Sequence, residues 1–151
     1  KDKGFTLIEV MVVTVLIGIM TAYAVTSYSK YASEQKANLA KAKMQELQIE
    51  LQNYKLTNLT YKGFGTQSVV VYLGNNSKIV YTINLVDSKD NKALSSTTSG
   101  REWTMLATPK DSADKWLMVN SNGKRCMGGS VAGGDASNVS LTTCPRGSET
   151  W

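Results

Sequence analysis

The sequence predicts an α+β protein: a long N-terminal helix packed on a small antiparallel β-sheet of about four strands, with a C-terminal disulfide-bounded loop. Three observations lead there. Residues Phe5 to Val25 form an almost unbroken apolar run. From Tyr28 to Asn58 the composition turns polar and helix-favouring, with no glycine or proline. Past Leu59 the chain breaks into short segments rich in Val, Ile and Tyr, and its two cysteines follow them. At 151 residues it has room for one domain and a stalk, but not for two large domains.

The apolar run is interrupted only by Thr6, Glu9, Thr14, Gly18 and Thr21. At about 1.5 Å per helical residue it spans roughly 31 Å, against a bilayer core of about 30 Å. A cleaved secretory signal is one reading: Ala22-Tyr23-Ala24 is an A-x-A site, and Lys1 and Lys3 supply a basic flank. An ordinary single-span anchor is another. The run is longer than a usual signal core, and neither reading accounts for Glu9. An acid at mid-helix in a membrane costs about 2.5–3.5 kcal/mol on insertion scales, so Glu9 calls for a partner.

The ordered string Gly4-Phe5-Thr6-Leu7-Ile8-Glu9 resembles the class III signal of type IV pilins. Gly18, Tyr28 and Tyr31 also fall where many type IVa pilins carry Gly and Tyr. The resemblance implies cleavage by a prepilin peptidase between Gly4 and Phe5, and N-methylation of Phe5 as the new terminus. It implies that Glu9 pairs with the N-terminal amine of a neighbouring subunit during filament assembly. It further implies an inner-membrane precursor, an inner-membrane assembly platform, and an extracellular pilus serving adhesion, twitching motility or DNA uptake. The chain then divides into a leader stub (1–4), a membrane or filament-core helix (5–27), an amphipathic helix half (28–58) and a sheet-containing head (59–151). The chain starts without methionine, so the leader is expected to be incomplete.

Elementary electrostatics supports the pairing. A carboxylate and a freed amine in apolar surroundings cost least when together, and a rigid helix keeps Glu9 from its own terminus. The alternative is a Glu9 held at headgroup depth on the cytoplasmic face, where the penalty falls. One position departs from the family: many major pilins have proline where this chain has Thr26. Threonine keeps its N–H, so nothing local forces a kink.

In the second helical half, Ala37, Ala40, Met44, Leu47, Leu51 and Tyr54 recur at steps of three and four, which places them on one face. Lys36, Lys41, Lys43, Glu46, Glu50 and Lys55 lie mostly off that stripe. The stripe is expected to pack on the sheet. Strands are predicted at Ser68–Leu73, Ile79–Val86, Trp103–Thr108 and Trp116–Asn120. Gly74-Asn75-Asn76-Ser77 reads as a hairpin connection and Asn122-Gly123 as a tight turn. Asp87 to Arg101 is a polar, Ser/Thr-heavy loop. Trp103 and Trp116 are expected in the core, because both stand in apolar, β-patterned runs. The stretch from Trp103 through Arg125 also resembles the sheet core of type IVa pilins.

Cys126 and Cys144 are the only cysteines, and an exported chain should pair them. A loop of about 15 residues gains about 3 kcal/mol from such a bond on chain-entropy estimates. The enclosed Met127 to Thr143 segment is rich in Gly and Ser. It resembles the disulfide-bounded region of type IV pilins, often an exposed binding or packing surface; a purely structural clasp is the alternative. The disulfide also argues against type II secretion pseudopilins, which resemble this N-terminus equally but more often use calcium in the head.

Other functions find little support. With no histidine and both cysteines engaged, no catalytic constellation emerges, and no enzyme is expected. Two cysteines fall short of a zinc set, Asp111, Asp114 and Asp135 lack calcium-loop spacing, and no cofactor is expected. Gly128-Gly129 and Gly133-Gly134-Asp135 lack the strand-to-helix context of a phosphate loop. Asn58-Leu59-Thr60, Asn75-Asn76-Ser77 and Asn138-Val139-Ser140 fit a glycosylation sequon, a weak signal here. The net charge of +5 is mild. Lys124, Arg125 and Arg146 flank the cysteines, and three clustered cations could grip a nucleic-acid backbone, a shallow footprint beside the plain reading of a solvated rim. Because the family it resembles includes minor pilins that take up DNA through a basic surface, a minor pilin acting as a DNA-binding or adhesin subunit is the alternative function.

Overall fold

The computed structural model describes residues 4–74, 78–129, 143–144 and 147–151. A single long helix, α1 (Leu7–Asn58), precedes five strands: β1 (Ser68–Tyr72), β2 (Ile79–Asp87), β3 (Trp103–Pro109), β4 (Trp116–Asn120) and β5 (Arg125–Gly128). The chain divides into two units, one ending at Gln35 and the other beginning at Lys36.

The first unit is helix. The Thr6 carbonyl accepts from the N–H groups of Glu9 (3.1 Å) and Val10 (3.4 Å), which starts α1. Glu9 lies in the first turn, where unpaired N–H groups and the helix dipole favour a carboxylate. Thr6 and Glu9 have the spacing of a capping box. The helix runs unbroken through residue 26, as a residue with its N–H intact allows. Its apolar side chains stay exposed, from Phe5 at 84% to Val13 at 49%. Thr14 and Thr21 turn their hydroxyls inward, donating to the carbonyls of Met11 (2.8 Å) and Gly18 (2.9 Å).

In the second unit α1 behaves differently. Ala40, Met44, Leu47 and Leu51 are buried, with Ala37 and Tyr54 half-buried against the same core. This is the stripe read from the sequence. Its partner is an antiparallel sheet with strands in sequential order. Register places Ile83 opposite Ala107, Met105 opposite Val119 and Leu117 opposite Met127. These residues alternate onto the face that packs with the α1 stripe. On the other face Leu106, Met118 and Cys126 align across β3, β4 and β5 and join Trp116 in a smaller cluster. Gly128 is required there, because any Cβ would collide with the Trp116 indole.

The sheet has five strands where about four were expected. β5 reads Arg-Cys-Met-Gly and has no β-branched residue to announce it. Tertiary context forms it: the turn at Gly123 (φ +78°) folds it back on β4, and the ladder pairs it there. Of the expected β1–β2 connection, Asn75, Asn76 and Ser77 lie outside the described residues. The polar loop after β2 is held by two carboxylates. Asp87 is fully buried and accepts from the N–H groups of Lys89 and Gly100 and the hydroxyl of Thr97, each at 2.8 Å. Asp90 accepts from Thr98 through both backbone N–H (3.1 Å) and hydroxyl (3.2 Å).

Candidate functional site

The residues singled out in the sequence fall in two places, one in each unit. In the first, Gly4 and Phe5 precede α1 and Glu9 lies in its first turn; all three are exposed. Among the described residues no cation forms an ion pair with Glu9. Its carboxylate thus stands on an exposed apolar helix, with no cation paired to it among the described residues. Chemically, that surface is suited to apolar surroundings.

The second place is built around β5. Cys126 and Cys144 are bonded, with Cα atoms 5.8 Å apart. The Cys126 side chain is buried in the small cluster, and Cys144 is exposed. Lys124, Arg125, Thr143, Cys144 and Trp151 line a hollow of about 490 Å³. Lys124 is exposed, its backbone N–H held by the Asn120 side chain at 3.0 Å. Arg125 is half-buried, and its guanidinium lies 5.3 Å from the centroid of the Trp151 ring. Of the expected trio of cations, Lys124 and Arg125 line this hollow, Arg125 against the indole, and Arg146 lies outside the described residues. So do Gly133, Gly134, Asp135 and Asn138.

Sequence reasoning missed two features. Trp151 follows Gly-Ser-Glu-Thr with no pattern to mark it as a packing residue. Lys36 lies off the packed stripe with nothing local to mark a partner, yet its ammonium lies 2.9 Å from Asp114 Oδ2 and 3.8 Å from Asp111 Oδ2. Asp114 is only 2% exposed. Nearby, the buried Tyr81 hydroxyl donates to the Lys115 carbonyl at 2.8 Å. Burial, and then the Asp114 carboxylate, push that hydroxyl's pKa well above the ordinary tyrosine value. Asp111 and Asp114 thus hold an ammonium group. Among the described residues no three carboxylate or thiol side chains gather as a metal site would require. The Asn58 amide of the first sequon donates back to the Tyr54 carbonyl at 3.0 Å.

Comparison with known proteins shows what the chain is similar to. Residues 1–25 match the prokaryotic N-terminal methylation motif. The chain is type IV pilin-like. It is 38% identical over 61 residues to the type II secretion system core protein G of Pseudomonas aeruginosa, covering 40% of this chain and 43% of the relative. It is 30% identical over 95 residues to a type IV major fimbrial protein FimA of Dichelobacter nodosus, covering 62% and 58%. With the type IV major pilin protein PilA of Myxococcus xanthus it shares 30% identity over 67 residues, covering 44% and 30%. This pilin-like chain thus spans about half, or less, of the length of these relatives. No solved structure matches it.

Proposed function

We propose that this type IV pilin-like chain is a structural subunit of a type IV pilus and not an enzyme. A prepilin peptidase cuts between Gly4 and Phe5, and Phe5 becomes the methylated terminus. The Phe5–Val25 run holds the subunit in the inner membrane until an assembly platform extracts it. The same run then lines the core of a surface filament, and the head presents the segment bounded by Cys126 and Cys144.

One observation carries this reading. The first unit exposes an apolar surface along α1 with a single acid, Glu9, in its first turn. Leaving that surface in water is unfavourable by about 25 cal/mol per Å², so it needs lipid or other copies of itself. Moving from lipid to protein changes its hydrophobic burial little; packing and polar pairing decide that step. Glu9 meeting the amine of a neighbour's Phe5 then sets the register between subunits more than it adds stability.

N-terminal sequencing of native filaments should begin at Phe5. Glu9→Val should still insert in the inner membrane yet fail to enter filaments. A mature terminus elsewhere, or undiminished assembly of Glu9→Val, would overturn the proposal, since a simple anchored receptor would not register the change.

A second reading, a type II secretion pseudopilin, is favoured by the likeness to core protein G. The Cys126–Cys144 bond supports the pilus reading over it. Quantifying the chain in purified surface filaments separates the two: abundance there supports the pilus subunit, and absence supports the pseudopilin.

A further inference from the structure

The short segment 149–151 makes more contacts than its length suggests. Glu149 and Met127 exchange two backbone hydrogen bonds, both 2.7 Å. β5 ends the sheet order, so this bridge covers part of an otherwise open edge. Two residues on, the Trp151 indole N–H points at two carbonyls on neighbouring strands, Cys126 at 3.0 Å and Met118 at 3.3 Å. Its ring has Lys41 of α1 at 5.5 Å and Arg125 of β5 at 5.3 Å from the centroid, both within cation–π range. Lys115, between β3 and β4, pairs with Glu149 at 2.7 Å.

The two sides of β5 are gripped by different means. Cys126 points into the small cluster with Leu106, Trp116 and Met118. Trp151 packs on the opposite side, against the core shared with α1. We propose that residues 149–151 form a latch, with Trp151 as its anchor, that keeps this segment docked on β5 and α1 independently of the Cys126–Cys144 bond. The segment is thus held twice: by a covalent link that reductant opens, and by a non-covalent one that reductant does not touch. Reduction alone leaves the latch closed.

The test is residue-resolved amide hydrogen exchange on the full chain in detergent micelles, oxidised and reduced. The amides of Met127 and Glu149 should stay protected after reduction with dithiothreitol. In the oxidised protein Trp151→Ala should speed their exchange tenfold or more while Ile83 and Met105 are unchanged. Trp151→Phe, which keeps a ring but loses the N–H, should fall between. The latch is refuted if reduction alone releases Met127 and Glu149 as fully as Trp151→Ala does, or if Trp151→Ala leaves them protected. Equal acceleration at Ile83 and Met105 would also refute it, by making Trp151 an ordinary core residue.

Discussion

Before Gln35, α1 carries Leu16 and Ile17 about half exposed; after Lys36 the same helix buries Ala40, Met44 and Leu51 completely. The backbone is one continuous helix in both. What changes is the distribution of apolar residues, all round the helix in the first part and confined to a stripe in the second. The stripe can be satisfied by one sheet within the chain, whereas the all-round surface cannot. One half of α1 is therefore a folding element of the head, and the other keeps its apolar surface exposed.

Paired truncations offer the sharpest way to break that contrast. Leu47→Ala should destabilise the head by about 2–5 kcal/mol, as buried Leu deletions do. Leu16→Ala should leave head stability unchanged. Chemical unfolding in detergent, followed by the fluorescence of Trp103 and Trp116, checks both; a comparable loss from Leu16→Ala would erase the distinction.

Next in size is the ion pair at the start of the second unit. Lys36→Met keeps much of the aliphatic stem but leaves the Asp114 carboxylate buried without its ammonium partner. The expected cost is about 3 kcal/mol in the same unfolding experiment. A neutral result would mean that Lys36 belongs energetically with the exposed part of the helix.

The smallest effect concerns the loop after β2. Hydrogen bonds from Thr98, first its backbone N–H, hold the Asp90 carboxyl below its ordinary value. A depressed folded-state pKa stabilises above the unfolded value and loses that contribution as pH falls through the folded one. Asp90→Asn should therefore lower stability slightly at neutral pH and flatten its decline below about pH 4. Thermal midpoints of both proteins across acid pH test the sign.

Periodic features were legible in the sequence. Six stripe residues announced the packed helix face, runs of Val, Ile and Tyr located β1 and β2, and apolar runs opening on Trp103 and Trp116 located β3 and β4, each within a residue or so at either end. Both tryptophans expected in the core are buried. The ordered string from Gly4 to Glu9 pointed to the family through a motif rather than a pattern. What stayed hidden depends on contacts distant in the chain. β5 has four residues and forms on its neighbour. Lys36 meets Asp114 across 78 positions, and Trp151 reaches Cys126 and Met118 across 25 and 33. Neither local propensity nor periodicity encodes such pairings, because loop closure and packing select them.

Thr14 and Thr21 leave a quiet signature on the first half of α1. Each hydroxyl is answered by a carbonyl one turn back on the same helix. These two side chains ask nothing polar of whatever surrounds them. Moving this half of α1 between apolar surroundings would neither break nor remake those bonds.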